Sequence, residues 1–111
     1  MASVRQEKIA SLIQREMAQI IQRESAHFGS GVMASVTVVR VSPDMGYAKV
    51  YLSLFGAKNP DELIEQANRD KGFYRKLLGD GVGKVLRKVP DLRFFLDDSL
   101  DYSEQIDELL Q

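Results

Sequence analysis

The chain has 111 residues, of which 44% are hydrophobic and 28% charged. This size and composition fit one globular domain and exclude a disordered or fibrous chain. The sequence contains no cysteine and one histidine. The lack of cysteine excludes disulfides, thiolate metal sites and cysteine nucleophiles, and a single histidine excludes most imidazole chemistry. No apolar run approaches the roughly 18 residues that span a bilayer, and residues 1–10 contain no signal-peptide segment. We therefore expect a soluble, cytoplasmic protein that is not an enzyme and uses no cofactor or metal.

The net charge of −1 conceals a division along the chain. Residues before Asp97 hold all 15 lysines and arginines against 10 of the 16 acids, a net charge of +5. The rest of the chain contains no base and the six acids Asp97, Asp98, Asp101, Glu104, Asp107 and Glu108. This asymmetry favours a basic face followed by an acidic segment, with an unevenly charged solvated surface as the alternative.

The first predicted element is an amphipathic helix over residues 4–24. The apolar residues that recur at helical spacing are Ile9, Leu12, Ile13, Met17, Ile20 and Ile21,. Ser3 is placed to cap the helix, and the glycine-containing stretch 27–31 follows its end. Arg5, Lys8 and Arg15 lie off the apolar stripe.

Two stretches with strand character follow, over residues 32–41 and 47–55. In the second stretch, apolar and polar residues alternate, which is typical of a sheet with one solvated face. Residues 42–46 form the turn sequence Ser-Pro-Asp-Met-Gly. The pattern therefore predicts an antiparallel hairpin.

A second helix is predicted over residues 60–69. Asn59 is placed to cap it, Pro60 suits the first helical position, and Glu62 follows the cap by three residues. Its apolar side consists of Leu63, Ile64 and Ala67. Gly72 is expected to interrupt or kink the chain after this helix.

Helical periodicity resumes over residues 73–89. The predicted apolar face is Leu78, Val82, Val85, Leu86 and Val89,. At about 100° per residue, the opposite face gathers Lys76, Lys84, Arg87 and Lys88,. Glycines at positions 79, 81 and 83 each cost roughly 1 kcal/mol within a helix, so a local break in this helix is the alternative.

A third strand is predicted over residues 92–96, followed by a short acidic helix that Ser99 is placed to cap. The element order is then α-β-β-α-kink-α-β. This order predicts a single α+β domain over residues 1–111, with the helices on one face of a three-stranded sheet and the acidic segment at about 97–111.

Three chemical motifs are considered and rejected. The segment 79–84 has neither the Gly-Lys-Ser/Thr ending of a phosphate loop nor the third glycine of a dinucleotide fingerprint. The carboxylates of the acidic segment fall at calcium-loop spacing, but Tyr102 occupies the position where such a loop requires glycine. His27 lies in a glycine- and serine-rich connection and is interpreted as a surface residue.

The basic residues are the remaining functional candidates. Cations fixed along one rigid element can neutralise several phosphates together. The backbone near Gly72 can also offer N–H groups to a phosphate. The predicted RNA-binding residues are Arg5, Lys8, Arg15, Arg69, Lys71, Gly72, Arg75, Lys76, Lys84, Arg87 and Lys88.

The element order resembles a type II KH domain, although the GxxG loop with which such domains clamp nucleotides is absent from the sequence. Several motifs resemble one family that lacks this loop, the ribosome-binding factor A family. They are the hairpin residues 40–44 and 47–51, the segment from Gly72 to Gly79, and residues 89–92 and 94–100, together with the opening stretch 5–9. The family usually has Ala-x-Gly at the kink, where this chain has Asp70-Lys71-Gly72.

The resemblance implies a monomer that binds the immature small (30S) ribosomal subunit through 16S rRNA and promotes late rRNA processing and maturation. No covalent step, membrane or small-molecule substrate is implied. The alternative from another class is a protein-interaction module, in which the sheet or the acidic segment docks a protein and the basic face is only solvated.

Overall fold

The computed structural model describes residues 3–97 of the chain. The elements are α1 (Val4–Arg23), a short 3-10 turn (Ser25–Phe28), β1 (Met33–Val41), β2 (Tyr47–Phe55), α2 (Pro60–Arg69), α3 (Lys71–Val82) and β3 (Asp91–Leu96). The predicted order of three helices and three strands is confirmed. The predicted helix after Ser99 lies outside the described residues.

The N-terminus of α1 carries the predicted cap. The backbone N–H of Gln6 donates to the Ser3 hydroxyl oxygen at 3.0 Å, and the Ser3 N–H donates to the Gln6 side-chain oxygen at 2.9 Å. This reciprocal pair satisfies two donors that a helix start otherwise leaves free. At α2, Pro60 occupies the first turn as predicted, but the Asn59 side chain makes no capping hydrogen bond.

The sheet has the strand order β1-β2-β3. β2 is central, antiparallel to β1 and parallel to β3, so the connection through α2 and α3 is a crossover,. Buried side chains alternate along β2 at Ala48, Val50 and Leu52, on the face against which the helices pack. The predicted hairpin and the helix-covered face are thereby confirmed.

Side-chain amides from two helices occupy both edges of this sheet. The Gln6 and Gln14 amides of α1 donate to the carbonyls of Val41 and Thr37 on β1, at 3.1 and 3.2 Å. On the opposite edge, Asn68 of α2 forms two hydrogen bonds with the backbone of β3. These contacts satisfy edge groups that would otherwise be open to another strand.

The break between α2 and α3 falls at Asp70 rather than at Gly72, so the predicted position of the kink is wrong. Asp70 has φ −93° and ψ 13°, a bridge conformation accessible to any residue. Gly72 lies in the first turn of α3. The chain therefore turns without using the conformational freedom of a glycine.

Of the two alternatives for residues 73–89, the local break is confirmed and the single helix is wrong, because α3 ends at Val82. Val85, which the periodicity places on the buried face, is 70% exposed. Two glycines near the helix end withhold side chains from packing, and Pro90 cannot donate a helical hydrogen bond. Lys84, Arg87 and Lys88 consequently lie in an irregular segment, residues 83–90, and not on a rigid helical face shared with Lys76.

Candidate nucleic-acid interface

A groove of about 630 Å³ lies where the start of α1, the hairpin turn and the segment 83–90 meet. Its cationic lining residues are Arg5, Lys8, Arg87 and Lys88. Its apolar lining residues are Ile9, Pro43, Met45, Val85, Leu86 and Pro90. The cations come from two ends of the described chain, and the fold brings them to one surface.

The positions of Arg5 and Lys8 follow from the start of α1. Ser3 fixes the first turn, and residues three apart in a helix are neighbours on its surface. Both side chains are exposed, because the buried face of α1 is formed by Ile13, Met17 and residues at the same spacing. The first turn of α1 therefore presents two adjacent cations to the groove.

Asp44 contributes a carboxylate to the lining of the groove. Its Oδ1 accepts the Ser42 hydroxyl at 2.7 Å and the Gly46 N–H at 3.0 Å. These two hydrogen bonds lower the pKa of the Asp44 carboxyl, with a smaller contribution from the charge of Lys88,. The carboxylate is thus held within the hairpin turn, and the groove retains an excess of positive charge.

Arg75 fixes the path of the segment that supplies Arg87 and Lys88. Its Nη2 donates to the Val89 carbonyl at 2.9 Å, and its Nε lies 3.5 Å from Asp91 Oδ1. The Asp91 N–H in turn donates to the Gly46 carbonyl at 2.9 Å. The predicted phosphate ligand Arg75 therefore holds the groove wall in place through contacts within the protein.

The remaining predicted residues do not line the groove. Lys71 lines a separate cavity of about 410 Å³ with Tyr47, Asn68, Asp91, Leu92 and Arg93. Arg69 lies 3.6 Å from Glu65 on the same helix. The other predicted residues are exposed and lie elsewhere: Arg15 on α1, Gly72 and Lys76 on α3, and Lys84 just after α3. The predicted RNA-binding residues thus fall into a groove cluster, a second group around the α2–α3 break, and isolated cations.

The sequence interpretation did not include a second set of cations, on the sheet. Arg40, Lys49 and Arg93 occupy one row across the three strands, and all three are exposed. The alternation along β2 places Lys49 on the solvated face. The strand pairing that aligns Lys49 with Arg40 and Arg93 cannot be read from neighbouring residues in the sequence. The register of the sheet is what reveals this row.

His27 is exposed as predicted. Its ring stacks on Phe73 at a centroid distance of 5.6 Å, and its Nε2 lies 3.5 Å from Glu24. Within residues 3–97, no group of histidine, aspartate and glutamate residues is arranged to hold a metal ion. Over the same range, no helix is long and apolar enough to cross a membrane.

The sequence matches the model of the ribosome-binding factor A family over residues 5–110. The chain belongs to the ribosome-binding factor A family. The ribosome-binding factor A of Cytophaga hutchinsonii is 41% identical over 110 residues, which cover 99% of this chain and 83% of that protein. The resemblance inferred from the hairpin and strand motifs is confirmed.

Solved structures of the ribosome-binding factor A family share the fold. The crystal structure of the Thermus thermophilus factor superposes with a TM-score of 0.68 at 21% identity, covering 82% of this chain and 94% of that one. A homology model of the Thermus thermophilus factor, fitted into the cryo-EM map of a 30S complex, has a TM-score of 0.63 at 22% identity, covering 80% and 91%. The predicted α+β architecture is therefore confirmed.

Proposed function

We propose that this protein binds the immature small ribosomal subunit through 16S rRNA and promotes late rRNA processing and maturation, acting as a monomer in the cytoplasm. The observation that carries the proposal is the convergence of Arg5, Lys8, Arg87 and Lys88 on one groove. Membership of the ribosome-binding factor A family supports it, as does the fitting of a relative into a 30S map.

The groove has the features that phosphate binding requires. Cations held close together displace several counterions from the nucleic acid backbone, which makes binding favourable and dependent on salt. Of these four cations, none takes part in an ion pair within residues 3–97. Their side chains are thus available to RNA, whereas Arg75 and Arg69 are engaged with the protein itself.

The action on the ribosomal RNA follows from binding and needs no covalent step. A protein that binds one conformation of the rRNA more tightly than the others shifts the population toward that conformation. Contacts to phosphates position the protein without reading sequence. Recognition of the immature subunit therefore depends on the shape of its RNA around the groove.

The alternative, a protein-docking module, has less support from the sheet edges. Addition of a partner strand requires free N–H and C=O groups along an edge. Side chains of α1 and α2 already occupy such groups on β1 and β3. The basic groove is the better candidate for the principal binding surface.

The decisive experiment is cosedimentation with purified immature small subunits at several salt concentrations. We expect the double variant Arg87→Glu/Lys88→Glu to bind at least about tenfold more weakly and to show a shallower dependence on salt, because each lost phosphate contact removes roughly 0.7–0.9 from the logarithmic slope.

The matched control carries the same change of charge elsewhere. Arg23 and Lys58 are exposed and lie outside the groove; Arg23 ends α1 about 27 Å from Arg5 along the helix axis. We expect Arg23→Glu/Lys58→Glu to retain most of the affinity. Equal weakening by both double variants would attribute binding to net charge alone and contradict a groove site.

A further inference from the structure

We propose that the sheet face opposite the helices binds a single-stranded segment of RNA, with bases against Tyr51 and Phe95 and phosphates at Arg40, Lys49 and Arg93. The inference rests on the proposed function in taking RNA as the partner. It adds a second surface, distinct from the groove, and a second kind of RNA structure.

The aromatic part of this surface is set by the register of the sheet. Val38, Tyr51 and Phe95 are aligned across the three strands. The rings of Tyr51 and Phe95 stack at a centroid distance of 5.4 Å and an interplanar angle of 26°. Both side chains are partly exposed, so this pair forms an aromatic platform on whose outer ring faces an unpaired base can stack.

The cationic part is the adjacent row of the same face. Arg40 pairs with Lys49, and Lys49 pairs with Arg93. Rows two residues apart on a strand are separated by about 7 Å. The Lys49 Nζ and the Arg93 Cζ lie 5.9 and 5.7 Å from the centroid of the Phe95 ring. A nucleotide whose base contacts the platform therefore has cations close to its phosphate.

These cations form no ion pair with a carboxylate within residues 3–97. The ion pairs of that range join His27 to Glu24, Arg69 to Glu65 and Arg75 to Asp91. Asp91 lies two residues before Arg93 on β3, but its carboxylate is paired with Arg75. Charge complementarity therefore favours an anionic polymer as occupant over an apolar protein surface.

The sheet face and the groove are continuous around the hairpin turn. Pro43 lines the groove, and it also lines a cavity of about 430 Å³ together with Arg40. Arg40 and Lys49 precede and follow the turn whose residues Asp44 and Met45 border the groove. One RNA molecule can thus place a folded region in the groove and an unpaired strand on the sheet.

The test uses the full chain and fluorescently labelled ten-nucleotide RNAs, oligouridine and oligoadenine, in fluorescence anisotropy titrations at low salt. We expect Tyr51→Ala/Phe95→Ala to weaken binding at least about tenfold, since stacking contributes strongly for each base. Tyr51→Phe/Phe95→Tyr should retain the affinity, because both rings are preserved. Lys49→Gln/Arg93→Gln should weaken binding and reduce the salt dependence.

The matched control lies at the far end of the same face. Met33 and Phe55 form a cross-strand pair and are 69% and 65% exposed. They lie at the end of the strands that is opposite the row of Arg40, Lys49 and Arg93. Met33→Ala/Phe55→Ala should leave oligonucleotide affinity within about twofold of wild type, because neither residue belongs to the stacking platform. A similar loss in this variant would overturn the proposed location.

Two further outcomes would overturn the proposal. The first is unchanged oligonucleotide affinity in a folded Tyr51→Ala/Phe95→Ala variant. If that variant does not fold, ultraviolet crosslinking of oligouridine to the wild-type chain must map to residues 47–55 and 91–96. Mapping elsewhere overturns the proposal.

The sheet surface and the groove can fail separately. Arg87→Glu/Lys88→Glu tests the groove with subunits, while the aromatic variants test the sheet with isolated oligonucleotides. If the groove variant loses subunit binding while the sheet variants bind oligonucleotides as wild type does, the proposed function is supported and the RNA-binding sheet face is rejected. The reverse pattern would sustain the surface and reject the groove.

Discussion

Asn68 forms two hydrogen bonds with the backbone of Phe94. Its Nδ2 donates to the Phe94 carbonyl at 2.9 Å, and the Phe94 N–H donates to its Oδ1 at 2.7 Å. An asparagine side chain can replace a neighbouring strand in this way because it carries a donor and an acceptor side by side. The pair fixes α2 against the outer edge of the sheet and satisfies the backbone of β3 at that point.

Replacement of Asn68 by leucine should lower the free energy of unfolding by about 2 kcal/mol, because it leaves a partly buried N–H and C=O without partners. Urea denaturation followed by circular dichroism measures this loss. Gln66→Ala in the same helix, where the side chain is exposed, is the control and should change stability by less than about 0.5 kcal/mol. Equal effects would show that the Asn68–Phe94 pair contributes little.

Gly56 and Gly72 should respond in opposite directions to alanine. Gly56 has φ +87°, and a Cβ there would lie 2.6 Å from the Gly31 carbonyl oxygen, so Gly56→Ala should destabilise the fold by about 2 kcal/mol or more. A Cβ at Gly72 meets no heavy atom within 4 Å, and Gly72→Ala should stabilise α3 by about 0.5–1 kcal/mol. Thermal denaturation of both variants checks the two signs.

Arg75 and Lys76 are adjacent cations with different roles. Arg75→Gln removes the contacts to Val89 and Asp91, and we expect it to lower stability by about 0.5–1 kcal/mol and subunit affinity several-fold, since the groove wall is loosened. Lys76→Gln removes the same charge from an exposed position and should leave stability unchanged. Identical unfolding curves for the two variants would contradict a positioning role for Arg75.

Alkaline pH should destabilise the protein through Tyr74. Burial of its ring, with the charges of Asp70 and Glu24, raises the pKa of Tyr74 from 10.0 to about 12. The unfolded chain therefore loses this proton first, and the free energy of unfolding falls as the pH rises from 10 to about 12,. Tyr74→Phe should reduce this fall in urea titrations across that pH range. An unaltered fall in Tyr74→Phe would assign the effect to other groups.

The parts of the fold that could be predicted are those governed by neighbouring residues. The capping box of Ser3 and Gln6 and the hairpin turn closed by Asp44 involve residues no more than five apart. The alternation in β2 reports its buried face directly, because successive side chains of a strand point to opposite sides. These local signals were sufficient for the element order.

The helix predicted from apolar periodicity was too long, because packing no longer supports a helix beyond Val82. Val85, Leu86 and Val89 continue the helical spacing, but Gly79, Gly81 and Gly83 weaken the helix that would carry them. The chain leaves α3 at Val82, and the contact of Arg75 with Val89 fixes its return toward β3. A pattern of apolar residues cannot show which of these two paths has the lower free energy.

The amino-acid sequence alone determined the family, the order of the elements and the excess of positive charge before Asp97, because motifs, turns and composition are properties of short stretches. The tertiary structure alone decided which cations lie together. Arg5 and Lys88 meet at one groove, and Arg40, Lys49 and Arg93 align on one sheet. Such groupings depend on contacts between residues far apart in the chain, which chain folding and strand register create.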